Sequence, residues 1–228
     1  MKTERIRNHF RAQVPNYAAL MERLIPFYEI QRSLILQLMR RDDASVPPRV
    51  LDLGCGPGLM ANAILAEFPK AQLTLIDLTP EMIEACRSRF ERFDNVTYRI
   101  GDFRLDDLGE AYDVVLASLS LHHLELSERP ACARRILQSL KPGGQLITAE
   151  VIVDESPTVR ERQYELWRRF MTAQGEDGET WYQKHLAKDH PVEIAAWVST
   201  LTEAGFVSAG CFWRYLNFAI IAGCRSAL

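Results

Sequence analysis

The stretch Val50-Leu51-Asp52-Leu53-Gly54-Cys55-Gly56-Pro57-Gly58 decides how this chain folds. Its first half, extended from Arg49 to Leu53, is short and apolar, as a strand covered on both faces must be. Its second half places three glycines among five residues. Tight or positive-φ backbone there lets a ligand or a neighbouring segment approach closely. Leu59–Phe68 then reads as a helix, so the stretch is a strand–turn–helix junction. Taken alone, such a junction fits a merely flexible turn as well as a binding site.

Outward from it, strands and helices alternate. The candidate strands Leu73–Asp77, Val96–Gly101, Tyr112–Ser118 and Gln145–Val153 are rich in Val, Ile and Leu, with helical stretches at Pro80–Phe93 and Arg129–Leu140. Apolar runs of this kind predict an α/β fold with a doubly wound, mostly parallel sheet. Upstream, Tyr17–Leu24 and Phe27–Arg41 read as helices broken at Pro26. Phe27, Ile30, Leu34 and Leu38 form the expected inward face, and Val46-Pro47-Pro48 ends the second helix. Downstream, Ser156–His190 interrupts the alternation: Trp167, Phe170 and Met171 share a helical face, which Gly175 to Gly178 breaks. Pro191 is expected to open a further helix with Ile194, Trp197, Val198 and Leu201 on one face and Gly205 as its cap. Val207–Trp213 and Leu216–Cys224 are spaced as a hairpin, giving seven strands and an antiparallel terminal strand. The expected organisation is one domain over 1–228, with an N-terminal helical segment over 1–45 and a helical cap insertion over about 155–190.

Composition closes off several classes. A net charge of −3 leaves no broad basic face for a nucleic-acid partner. The clusters Arg5-Ile6-Arg7 and Arg168-Arg169 read as solvated helix faces. Five scattered cysteines without a CxxC pair point to reduced thiols, no zinc or other metal site, and a cytoplasmic setting. No run approaches the roughly 20 apolar residues of a membrane span, and Met1-Lys2-Thr3-Glu4-Arg5 does not start a signal peptide.

Acids at successive strand ends give the glycine turn its meaning. Asp77 stands about 20 residues beyond the glycines, where a carboxylate accepts from ribose hydroxyls. Asp102, in Gly101-Asp102-Phe103, can accept from an adenine amino group while Phe103 flanks the ring. Asp52, just before the glycines, can organise the turn. Leu59 occupies the position at which a dinucleotide fingerprint needs glycine, and no Lys-Ser/Thr pair follows as in a P-loop. The implied ligand is an adenosine without a pyrophosphate.

In order, Val50–Gly58, Asp77, Gly101-Asp102-Phe103, Tyr112–Ser118 and Leu140-Lys141-Pro142-Gly143-Gly144 resemble the successive motifs of class I S-adenosylmethionine-dependent methyltransferases. The resemblance covers about Arg49 to Val153. It implies S-adenosylmethionine as cofactor and S-adenosylhomocysteine as product. The flanks Val14-Pro15-Asn16-Tyr17, Ala204-Gly205-Phe206 and Phe212-Trp213-Arg214-Tyr215-Leu216-Asn217-Phe218 are similar to the carboxy-S-adenosylmethionine synthase branch. Its members make a carboxymethyl donor used in wobble-uridine modification of tRNA. Carried over residue by residue, the resemblance implies Tyr17 at the methionine end and Gly54, Cys55 and Gly56 in the turn. Asp77 and Leu78 fall at the ribose, Asp102 and Phe103 at the adenine, and Ser118 beside the sulfonium. Asp52, Gly58 and Met82 complete the cofactor set. A homodimer is compatible with the resemblance, although nothing in the residues demands it. The chain departs from the synthase where Thr200 replaces the arginine that reads the donor's extra carboxylate, and Ser118 replaces an asparagine. Arg214 is the candidate substitute for that arginine.

An activated methyl needs an aligned acceptor, and a base only if the nucleophile must lose a proton. His122 and His123 follow the fourth strand at the cofactor edge and titrate in the right range, though either can instead cap a helix or pack. Glu150 either points to the site or is a satisfied sheet-end acid. Tyr164, Trp167, Trp181 and Tyr182 either line a lid or belong to the core. The main expectation is methyl transfer to an O, N or S nucleophile of a small molecule. A synthase-like enzyme and a non-catalytic cofactor-binding protein are the alternatives.

Overall fold

The computed structural model describes residues 16–39 and 46–228. Arg5-Ile6-Arg7, Val14-Pro15 and the expected helix end at Arg41 lie outside the described residues. The strands are β1 (Arg49–Leu53), β2 (Gln72–Asp77), β3 (Val96–Ile100), β4 (Tyr112–Ser118), β5 (Leu140–Val151), β6 (Val207–Tyr215) and β7 (Phe218–Cys224). They form one seven-stranded sheet in the order β3-β2-β1-β4-β5-β7-β6. The first five pair in parallel, whereas β7 runs antiparallel to both β5 and β6. The strand order reverses between β1 and β4, so a crevice opens beyond their carboxyl ends.

Alternation along β1 builds two cores. Val50 packs with Ile64 of α3 (Leu59–Glu67) and with Ile83 and Cys86 of α4 (Pro80–Arg89). Leu51 and Leu53 face the other way, toward Ile136 of α5 (Arg129–Ser139) and Trp197 and Leu201 of α8 (Ile194–Ala204). A third cluster lies over the carboxyl ends. It joins Leu20, Met21 and Leu24 of α1 (Tyr17–Leu24) to Tyr164, Trp167 and Met171 of α6 (Pro157–Ala173) and to Phe218. The Trp167 indole N–H donates to the Leu24 carbonyl at 2.7 Å and stitches α1 to α6. No described helix is long and apolar enough to cross a membrane.

Four expectations need correction. In α2 (Tyr28–Leu38) Leu34 and Leu38 pack against the core as expected, but Tyr28, Gln31 and Ile35 are the buried side chains and Phe27 and Ile30 are 50% and 52% exposed. Phe27 sits at φ +57° as the N-cap, ahead of the first helical turn. Gln31 tolerates burial because its amide donates to the Pro26 carbonyl at 3.0 Å. The helix expected to reach Phe93 stops at Arg89, where Phe90 turns into the core. Strand β5 begins at Leu140, not Gln145, because Leu140 pairs with Tyr112 ahead of a register shift. Pro191 does not open α8. Val192 instead bridges to Ile152, and the helix starts at Ile194 with Glu193 as its N-cap.

Candidate functional site

The turn after β1 carries Gly54, Gly56 and Gly58 at φ +69°, +54° and +81°, backbone that glycine adopts without steric penalty. A Cβ on Gly54 would stand 2.7 Å from the Ser120 Cβ, so the turns after β1 and β4 touch there. A Cβ on Gly58 would meet Phe90 at 2.6 Å, and this glycine serves the packing of α3 against the end of α4. Asp77 closes the turn from β2, accepting the Gly56 N–H at 2.9 Å on one oxygen and the Thr79 N–H at 2.8 Å on the other. Burial raises its carboxyl pKa, and these two donors oppose that rise.

A cleft of about 90 Å³ follows, lined by Gly54, Gly56, Asp77, Leu78, Met82, Asp102 and Phe103. Asp102 is gripped by Arg104, whose Nε donates to Oδ1 at 2.9 Å and whose Nη2 donates to Oδ2 at 2.6 Å. Burial alone would raise the Asp102 carboxyl, but the guanidinium reverses this and holds it below the usual carboxylate range. Beneath Tyr17 a smaller compartment adds Asp52, Cys55 and Ser118 to the lining. Asp52 is 2% exposed, and its Oδ2 accepts no hydrogen bond among the described residues. Burial, then the charge of Asp77, pushes its carboxyl pKa up to about 7. An orphaned carboxylate oxygen at a cavity wall is a seat for a cationic donor. The ammonium at the amino-acid end of an adenosyl sulfonium is such a donor. The residues therefore fit S-adenosylmethionine: acids for its hydroxyls and ammonium, and Phe103 and Met82 for its ring.

Tyr17, Leu119 and His123 line this cleft and also a second cavity of about 130 Å³. Most of the second cavity is apolar, with Met21, Leu24, Trp167, Met171, Trp181 and Phe218 in its walls. Its polar end is a histidine cluster. His122 Nδ1 pairs with Glu150 Oε2 at 3.1 Å, and both side chains are buried. His123 Nδ1 pairs with Asp189 Oδ1 at 2.9 Å. His185 Nδ1 holds the other Asp189 oxygen at 2.7 Å, and its Nε2 meets the Tyr164 hydroxyl at 3.1 Å. His122 Nε2 stands 3.9 Å from Asp189 Oδ1.

The fold sets this cluster by clipping the segment 189–192 to the sheet edge. The His190 N–H donates to the His122 carbonyl at 2.8 Å, and the Val153 N–H donates to the Val192 carbonyl at 3.2 Å. Burial disfavours charge on both neighbouring imidazoles, with opposite outcomes. For His122 the carboxylates of Asp189 and Glu150 outweigh burial, and its pKa rises. For His123 burial and the His122 charge prevail over Asp189, and its pKa falls. Burial would raise the Asp189 carboxyl, but the three imidazoles drive it far below the usual range. The ligand atoms of His122, His123 and Asp189 lie within 4.8 Å of one another, the spacing of a three-ligand metal group, although each already has a partner within the protein.

The structure thus brings Tyr17, Gly54, Gly56, Asp77, Leu78, Met82, Asp102, Phe103 and His123 to one cleft, and Asp52, Cys55 and Ser118 to the compartment beside it. Glu150 lies behind His122, outside the lining. Trp167 and Trp181 line the second cavity, whereas Tyr164 and Tyr182 support it from behind through His185. Arg214 is held by Asp154 at 2.7 Å, and the Thr200 hydroxyl donates to the Ala196 carbonyl within α8; neither lines either cavity. His185, Asp189, Lys184 and Lys188 were not legible as site residues. The only sequence hint was three polar groups, His185, Asp189 and His190, crowded ahead of Pro191.

A family model described as a methyltransferase domain matches residues 50–144. The carboxy-S-adenosyl-L-methionine synthase of Chromohalobacter salexigens is 31% identical over 189 residues, which are 78% of this chain and 68% of that protein. The malonyl-[acyl-carrier protein] O-methyltransferase of Acetivibrio thermocellus is 29% identical over 140 residues, 60% of this chain but only 46% of its own length. In fold the chain is similar to human N-acetylserotonin methyltransferase crystallised with S-adenosylmethionine, at a TM-score of 0.62 and 21% identity over 87% of this chain and 52% of that one. The chain belongs to the class I S-adenosylmethionine-dependent methyltransferases, and S-adenosylmethionine is its cofactor.

Proposed function

We propose that the chain transfers a methyl group from S-adenosylmethionine to an O, N or S nucleophile of a small molecule held in the second cavity, with His123 as the base. One observation carries the reading: Tyr17, Leu119 and His123 are common walls of the cofactor cleft and the second cavity. When bound, the cofactor supplies a methyl already activated on a sulfonium. The chain's own task is to align the acceptor and to remove its proton. With Nδ1–H donated to Asp189, His123 keeps Nε2 as an acceptor, and its lowered pKa keeps the ring neutral and able to take that proton. His122, anchored on Glu150, stays behind it as the more readily charged neighbour. The cavity's modest size and the chain's negative net charge favour a small acceptor over nucleic acid. Free thiols favour a reducing, cytoplasmic setting.

The test is release of S-adenosylhomocysteine across a panel of phenols, amines, heterocycles and thiols, with product masses. His123→Ala should lower kcat by about 10²- to 10⁴-fold with cofactor affinity intact; full turnover would remove His123 from the role. The likeness to the synthase supports a second reading, in which the cofactor itself is carboxylated. Prephenate with cofactor separates the two, since a carboxymethyl-sulfonium product overturns the methyl-transfer reading.

A further inference from the structure

The second cavity carries a charge pattern that proton removal does not use. Helix α7 (Gly178–Lys188) sets Lys184 and Lys188 one turn apart, so they are neighbours on one helix face. Both line the cavity. Lys184 Nζ lies 3.8 Å from the centre of the Trp181 ring, a cation–π seat that holds it at the wall. No carboxylate among the described residues lies within 4.0 Å of either ammonium.

The acids in the neighbourhood are committed elsewhere. Asp189 gives its two oxygens to His123 and His185. Glu176 is bound by Arg23 at 2.6 Å and by the Trp181 indole at 3.0 Å, and Asp177 caps α7 through Thr180. Burial, then the like charge of Lys184, lowers the Lys188 pKa against the pull of Asp189. Two cations thus share one wall of a largely apolar chamber with no described carboxylate in ion-pair contact. Glu176 and Asp177 act on Lys184, and Asp189 on Lys188, only at longer range. A neutral occupant would leave them repelling each other, whereas an anion between them gains two charge-assisted contacts.

We infer that Lys184 and Lys188 form an anion subsite, which reads a carboxylate or phosphate on a ring-sized acceptor. The acceptor's apolar body lies against Trp167, Met171 and Phe218, and its nucleophile reaches His123. The last point rests on the methyl-transfer reading; the subsite does not. Size supports a ring: the cavity holds about 130 Å³, close to the roughly 150 Å³ of an engineered protein cavity that accepts benzene.

The experiment titrates the 228-residue chain, saturated with S-adenosylhomocysteine, with benzoate, phenyl phosphate and the neutral benzamide by calorimetry. It repeats the series on the double variant Lys184→Gln, Lys188→Gln and on Lys188→Arg. The wild type should bind one of the anions at least about tenfold more tightly than benzamide. A lead for benzoate identifies a carboxylate, and a lead for phenyl phosphate identifies a phosphate. The double variant should lose the preference with S-adenosylhomocysteine affinity within about twofold of wild type, and Lys188→Arg should keep it. The inference is overturned by equal binding of all three probes to the wild type, by no saturable binding of either anion at millimolar concentration, or by a preference that survives the double variant. If the anion preference holds but no ring acid is methylated, the subsite stands and the methyl-transfer reading is what fails.

Discussion

The cofactor cleft draws its groups from consecutive strand ends and the backbone between them, whereas the second cavity draws its groups from segments far apart in the chain. In the cleft, Gly54 and Gly56 follow β1, Asp77 ends β2 and Asp102 follows β3, and peptide N–H groups hold Asp77 in place. In the cavity, one carboxylate on Asp189 gathers His123 from the turn after β4 and His185 from α7, with His122 close by. The first region is fixed by the sheet. The second is fixed by how a helical cap lies on that sheet. Damage away from the shared walls Tyr17, Leu119 and His123 should therefore separate in binding and rate measurements.

The largest separation is expected from Asp189→Asn. It removes the charge and turns one of the two acceptor oxygens shared by His123 and His185 into a donor, so the His123 tautomer is no longer held and kcat should fall about 100-fold or more with cofactor affinity unchanged. The pH profile sharpens the point. The acid limb of kcat/KM in the wild type should have its midpoint below the ordinary imidazole value of 6.5. Because Asp189 raises the His123 pKa, its loss should carry the limb to still lower pH. A limb that moves upward, or stays put, would separate Asp189 from the base.

The converse break is Gly54→Val. It places a branched side chain at φ +69° and against Ser120, a strain of about 2–3 kcal/mol that should weaken cofactor binding by about 30- to 160-fold. Turnover at saturating cofactor should survive. Asp77→Ala should weaken the same binding by about tenfold, through loss of the turn's carboxylate and of a ribose acceptor; unchanged affinity would refute the ribose role. Smallest of all is the effect of chelation. Each candidate ligand in the His122, His123 and Asp189 group already has a protein partner, so treatment with EDTA should leave turnover unaltered, and a loss restored by a divalent ion would reassign the cluster.

The same contrast explains what could be read in advance. Gly54, Gly56 and Asp77 act through backbone geometry at fixed offsets along the chain, and such spacing is visible in a string of letters. His185 and Asp189 also sit at a regular offset, but nothing in it says that 189–192 will run beside the sheet and meet His122. The interruption at Ser156–His190 was visible, and its landing place was not. At α2 the expected apolar face held at Leu34 and Leu38 and failed at Phe27 and Ile30, where Tyr28 and Gln31 are buried instead. Lys184 and Lys188 carried no signal in the sequence, because the cavity they line takes its other walls from distant segments such as Met21, Trp167 and Phe218.

Tyr17 borders the cofactor cleft, the compartment of Asp52 and the second cavity alike. A ligand that presses on this one ring from either side alters what the other side meets, which makes the two affinities thermodynamically linked. Acceptor affinities measured on cofactor-free protein and on protein loaded with S-adenosylhomocysteine should then differ, and by the same factor that the acceptor imposes on the nucleoside. Mutation of Tyr17 to alanine would drive that factor toward unity, turning a coupled pair of binding events into two independent ones.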